Sequence, residues 1–334
     1  MQATVLDHAI LASHIYHPTL SHYCNETFIT LNRAEHLRDG WGRMNDVNPN
    51  IHPSQPFYCQ LYLKFIASEP VAAVVAIRGT LPTNWDNDWV DLYSWFSDVL
   101  AIGGSDHVPA YLPAAIQFVE RARQYLRQHF PALKTLSLTG HSLSGAVAQL
   151  IPLTALAIPV IAFNSPGCGH MPHIIKSRFP LSMNVNSRYG LINKIGLTVG
   201  QLFLVNVVEE QEAAKNLFAH FDKADYQKSI ADFQQGENVA GFYERIKSLL
   251  SETTSILQLP EYQQHVLQCE CQEDQNFWVK HAVLMQTYGA ALCQSQAFWR
   301  TFGHIIAAQH AISNIITTLQ LPANKQLATK QITR

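Results

Sequence analysis

Apolar positions along the first two thirds of this chain fall into patterns with two distinct periods. Val5, Ala9, Ala12 and Tyr16 recur at spacings of four, three and four, which predicts one face of a helix within residues 3–16. Phe57 to Ile66 alternates and reads as a strand, while 40–56, with Gly40, Gly42, Pro49, Pro53 and Pro56, reads as loop. Val71 to Ile77 is apolar without a break, as in a strand buried on both faces, and stops at Arg78-Gly79-Thr80. Pro113 opens a second helix with Ile116, Val119, Ala122 and Leu126 on one face. Leu136 and Leu138 alternate with Ser137 and Thr139, and Val160 to Asn164, Met183 to Asn186 and Leu202 to Val208 make further short strands. Strands alternating with helical segments from 57 to 208 predict an α/β chain with a mostly parallel sheet and helices on both faces.

The pattern changes at Glu209. Residues 209–280 hold 13 acidic and 6 basic side chains, a net of −7, so the rest of the chain carries +5. Phe242, Ile246 and Leu249 share a helical face there. The expected organisation is a core of 1–208 and 281–334 with a helical insertion at 209–280, a cap over the site or a solvated helical pair. Residues 281–320 return to apolar helices, and Lys325 to Arg334 reads as a frayed tail.

Composition narrows the partners. The 334 residues have a net charge of −2, and no basic surplus points to nucleic acid. Met1 to Leu20 lacks a basic stretch followed by an apolar run, so the expectation is a cytoplasmic protein or one exported without a cleaved signal. Cysteines 24, 59, 168, 269, 271 and 293 form no CxxC pair, and Cys269-Glu270-Cys271 is too weak to propose a metal site. Asp86, Asp88, Asp91 and Asp98 among Trp85, Trp89 and Trp95 match no calcium loop and read as caps or surface carboxylates. Neither metal nor cofactor is expected.

The stretch with chemistry is Leu136 to Ala148. A strand turns sharply at Gly140-His141-Ser142 and continues as a helix of small and apolar residues. That is the construction of a nucleophile elbow, which lifts a serine hydroxyl above a sheet. A glycine two places before the serine lets the turn close, and Gly140 serves. The second glycine position is Ser144, with Gly145 one place late, a departure small enough to tolerate. An ordinary strand-to-helix turn uses the same residue types.

Four segments occur in order: Val74-Val75-Ala76-Ile77-Arg78-Gly79-Thr80, Asp88-Trp89-Val90-Asp91-Leu92, Gly140-His141-Ser142-Leu143 and Phe163-Asn164-Ser165-Pro166-Gly167. Their order and spacing resemble the class 3 lipases of the α/β-hydrolase fold over roughly residues 1–208, the helix with Ala12 and Tyr16 included. The resemblance implies a serine ester hydrolase acting on acyl esters of lipids through an acyl-enzyme, in transient contact with a membrane surface. The alternative is an impaired hydrolase fold that binds a lipid or a partner.

The resemblance also implies roles. Ser142 is the nucleophile, and the N–H groups of Leu143 and Thr80 form the oxyanion hole. The histidine of such a relay follows the acid in the chain. His170, His173, His220, His265, His281, His304 and His310 are open, with His281 preferred because a polar loop enters an apolar helix there. The acid has no evident holder: Gly190 occupies the position where the family carries aspartate, and no carboxylate lies between Glu120 and Glu209. It is relocated to Glu209, Asp222, Asp225 or Asp274, replaced by an amide such as Asn186 or Asn193, or lost.

Overall fold

In the computed structural model, residues 3–16, 30–31, 34–36, 40–44, 47, 58–79, 111–169, 171, 173–187, 193, 197–207 and 311–331 are described. Among the described residues, nine strands form one sheet whose spatial order follows the chain. They are β1 (Thr30–Leu31), β2 (Ala34–His36), β3 (Trp41–Met44), β4 (Cys59–Ile66), β5 (Glu69–Ile77), β6 (Leu136–His141), β7 (Val160–Phe163), β8 (Ser182–Ser187) and β9 (Gln201–Val205). β1 to β5 pair antiparallel and β5 to β9 pair parallel. The sheet is therefore mixed, more antiparallel than the expectation of a mostly parallel one, and together with its helices it makes an α/β fold. The β4–β5 turn explains part of this: Ala67 and Ser68, with φ of 49° and 68°, form a two-residue hairpin loop, too short for a crossover.

A second difference lies at β3, in a segment expected to be loop. Trp41–Met44 pairs with β4, and Gly40, at φ 77°, comes against the Phe65 carbonyl where any Cβ would collide. Gly40 marks a close strand approach rather than an open loop.

The unbroken apolar run of β5 is covered on both faces. Ala73, Val75 and Ile77 join one core with α2 (Leu112–His129) and α3 (Leu143–Thr154). Ala72, Val74 and Ala76 join another with the end of α1 (Val5–His14). A third cluster joins α1, β7, β8, α4 (Ile312–Gln320) and α5 (Lys325–Ala328). The alternation in β6 also has both faces buried. Leu136 and Leu138 enter the first core, whereas Ser137 and Thr139 meet α1 through hydrogen bonds. His8 Nδ1 lies 2.7 Å from the Thr4 carbonyl, which only accepts, so the neutral ring presents Nε2 to the Ser137 hydroxyl at 2.8 Å. Burial holds the His8 pKa down to about 4 and keeps it neutral.

The start of α1 is fixed by charge. Thr4 and Asp7 form a capping box, and Asp7 also accepts from buried Trp41 Nε1 at 2.9 Å and from Lys64 at 3.1 Å. Burial alone would raise the Asp7 pKa, but bonds from Thr4 and Trp41 and the Lys64 charge outweigh it and hold the carboxyl below its usual range. As far as Gln331, the segment read as a frayed tail is instead docked. Val5 N donates to the Lys330 carbonyl at 2.9 Å, Gln331 bridges Thr4, and Ala328 is buried, because the tail caps the open start of α1. Among the described residues no helix is long and apolar enough to cross a membrane. The expected insertion at 209–280 lies outside the described residues, as do 281–310.

Candidate active site

The parallel strands β5, β6, β7 and β8 bring Gly79, Ser142, Asn164 and Ser187 to one edge of the sheet, the edge where open α/β sheets hold their ligands. The turn from β6 into α3 is built from the inside. A Cβ on Gly140 would run into the Ser144 carbonyl, so only glycine lets strand and helix fold back on each other. The Ser144 hydroxyl accepts from His141 N at 3.1 Å and donates to His141 O at 2.8 Å. Position 144 is thus filled by a buried side chain that closes the turn. The glycine that lets α3 approach the end of β7 is Gly145, whose Cβ would sit 2.7 Å from Ser165 Cβ.

Ser142 takes the strain of this turn. Its φ is 63° and its ψ −135°, a combination that L residues avoid. It is 2% exposed, and its Oγ has no hydrogen-bond partner among the described residues. Two bonds hold the backbone there: Ser142 N donates to Phe163 O on β7 at 3.0 Å, and Gly145 N donates to Ser142 O at 2.9 Å. Leu143 begins α3, so its N–H belongs to the first turn of a helix, where amides lack intrahelical acceptors and the dipole favours negative charge.

The end of β5 lies against this turn. Ile77 pairs with Gly140, and a Cβ on Gly79 would be 2.5 Å from Tyr16 Oη and 3.1 Å from the His141 carbonyl. Tyr16, just past α1, donates to that carbonyl at 3.2 Å and crosses the His141 ring at 75°. Burial pushes its phenol up to about 12, against hydrogen bonding at Gly79 and Ser144 and the Arg78 charge. The phenol is therefore a neutral donor bracing the β6–α3 turn across three elements. Arg78 is buried beside it with its guanidinium over the Tyr58 ring at 5.2 Å, and burial lowers its pKa.

Beyond the elbow the strand ends carry amides. Asn164, at φ 42°, accepts at Oδ1 from Ser187 N at 2.7 Å, Ser187 Oγ at 2.9 Å and Asn193 Nδ2 at 3.0 Å. Asn193 Nδ2 also donates to Ser187 O at 2.9 Å. The described residues carry carboxylates only at Asp7, Glu35, Glu69 and Glu120, none of them at this edge.

Of the residues expected from sequence, Ser142 and Leu143 stand together at the turn, and Asn193 joins the amide cluster at the end of β8. Thr80 and His281 lie outside the described residues, as do Gly190, Glu209, Asp222, Asp225, Asp274, Asp86, Asp88, Asp91 and Asp98. So do His170, His220, His265, His304 and His310, while His173 is exposed. Sequence reasoning missed Asn164 as the hub of the cluster. Its signal was an asparagine ending a strand, since asparagine tolerates the left-handed region. Among the described residues no three His, Cys, Asp or Glu side chains converge as metal ligands would. No family model matches the chain, and no curated protein matches it.

Proposed function

We propose that this chain is a serine ester hydrolase of the lipase type on an α/β-hydrolase-like scaffold, cleaving acyl esters of lipids through an acyl-enzyme intermediate. The observation that carries the reading is Ser142, held at φ 63° and ψ −135° between a parallel strand and a helix, with its Oγ unpartnered among the described residues. Evolution keeps such a residue strained where chemistry needs the hydroxyl raised.

In this reading an imidazole takes the Ser142 proton as Oγ bonds to the ester carbonyl carbon. The carbonyl electrons move onto oxygen, which the N–H of Leu143 and that of Thr80 stabilise. The tetrahedral intermediate collapses, the ester C–O bond breaks, and the imidazolium protonates the departing alcohol. Water, deprotonated by the same imidazole, then releases the acid and restores Ser142. His281 is the residue put forward for the base. The reaction needs neither metal nor cofactor.

The test is hydrolysis of p-nitrophenyl esters of graded chain length, with labelling by a fluorophosphonate probe. Ser142→Ala should abolish labelling and lower kcat by on the order of 10⁵- to 10⁶-fold. Equal rates for the two proteins would refute the proposal. A second reading, an impaired hydrolase fold that binds a lipid or a partner, draws on Gly190 at the position where the resemblance implies an aspartate and on the acidic stretch 209–280. Vesicle binding unaffected by Ser142→Ala, without probe labelling, would favour it.

A further inference from the structure

The edge formed by β7 and β8 buries carboxamides with polar atoms left over. Asn164 Nδ2, Asn186 Oδ1 and Asn193 Oδ1 are all buried without a partner among the described residues. A polar atom stranded this way is costly, and native proteins tolerate it chiefly where the atom has a use.

Asn193 is the most constrained of the three. Its Nδ2 donates to Asn164 Oδ1 at 3.0 Å and to Ser187 O at 2.9 Å. Asn164 Oδ1 and the Ser187 carbonyl can only accept, so turning the amide over would set oxygen against oxygen. Its Oδ1 is therefore a fixed acceptor, 2% exposed, with nothing to receive. The cluster also adjoins the elbow, because Asn164 follows Phe163, whose carbonyl holds Ser142 N.

A base serving a serine needs its far ring N–H held by a third group, so that the near nitrogen is bare and faces Oγ. We propose that Asn193 is the positioning residue of this site, its Oδ1 accepting the N–H of the imidazole that activates Ser142, in place of a carboxylate. This rests on the hydrolase reading above. The same contacts explain why an amide stands there: Asn164 Oδ1 and Ser187 O demand donors, which a carboxylate lacks.

The experiment uses the full chain. It measures probe labelling of Ser142, and kcat and KM for a p-nitrophenyl ester from pH 5 to 9. Asn193→Ala should slow labelling and lower kcat by about 10²- to 10⁴-fold, with KM within about threefold. Asn184→Ala, which removes a buried amide on β8 bonded to Val199 O at 2.6 Å, imposes a comparable structural loss and should keep labelling within about threefold. The pH profile separates positioning from packing: without the acceptor the imidazolium loses a stabilising hydrogen bond, so the acid limb of kcat/KM should move down in Asn193→Ala. Asn193→Ser, which keeps one donor for Asn164 Oδ1 but lacks the carboxamide oxygen, serves should Asn193→Ala fail to fold and should slow labelling likewise. A folded Asn193→Ala or Asn193→Ser that labels at the wild-type rate with an unmoved acid limb overturns the inference alone. A wild-type chain that neither labels nor hydrolyses overturns the hydrolase reading with it.

Discussion

Replacing Ser142 by glycine should stabilise this protein more than replacing it by alanine, the reverse of what glycine does almost everywhere else. Both changes remove the hydroxyl, and with it a buried oxygen that has no partner among the described residues. Only glycine also relieves the backbone. A non-glycine residue held at φ 63°, ψ −135° costs about 1–3 kcal/mol, since its Cβ crowds its own peptide units. The mirror of this conformation is an ordinary extended one, so glycine adopts it freely. Against that stands the greater freedom of glycine in the unfolded chain, worth about 0.5–1 kcal/mol. The balance leaves Ser142→Gly more stable than Ser142→Ala by roughly 0.5–2 kcal/mol. At an unstrained position the same comparison favours alanine by about 0.5–1 kcal/mol. The sign alone therefore reports the geometry. Urea unfolding of the two variants side by side, compared by midpoint at equal slope, reads it directly. A midpoint for Ser142→Gly below that of Ser142→Ala would mean that residue 142 is not strained and that the turn is not an elbow. Both variants should lose probe labelling, which separates the stability argument from the catalytic one.

Two further outcomes concern the supports of the site. Asp7→Ala should cost about 2–4 kcal/mol at pH 7, because it strands the buried Trp41 N–H and removes half of the capping box at Thr4. Because the folded carboxyl titrates below the ordinary value of 3.8, its contribution is full above that pH and is lost as pH falls through the folded value. Urea unfolding at pH 7 and at about pH 2 should show the gap from wild type narrowing, and an equal gap at both would refute the assignment. Cys168, whose thiol burial pushes up to about 12, should resist a thiol-reactive disulfide reagent at pH 8 until the chain unfolds, and rapid reaction in the native state would contradict its packing.

What could be read from the chain was local: periods, glycines and the strand-to-helix turn. Val71 to Ile77 had to be covered on two faces because no polar position interrupts it, and Gly140-His141-Ser142 had to turn sharply because the pattern changes period there. Those readings depend on neighbours within a few residues, and the turn from β6 into α3 obeys them. What depended on distant partners was not legible. The polar alternation in β6 serves α1, through His8 to Ser137 and Thr139, and nothing in residues 136–141 announces a helix more than a hundred positions earlier. Ser144 looked like a defect in the glycine pattern, yet its hydroxyl closes the turn on His141 while Gly145 meets Ser165 across β7. The tail from Lys325 looked free until it met the start of α1 at Val5 and Thr4. The amides of Asn164 and Asn193 read as ordinary polar residues, and they became a buried cluster only when parallel pairing set the ends of β7 and β8 side by side. A hydrogen bond needs both partners within about 3 Å, and for residues this far apart in the chain only the folded sheet brings them that close.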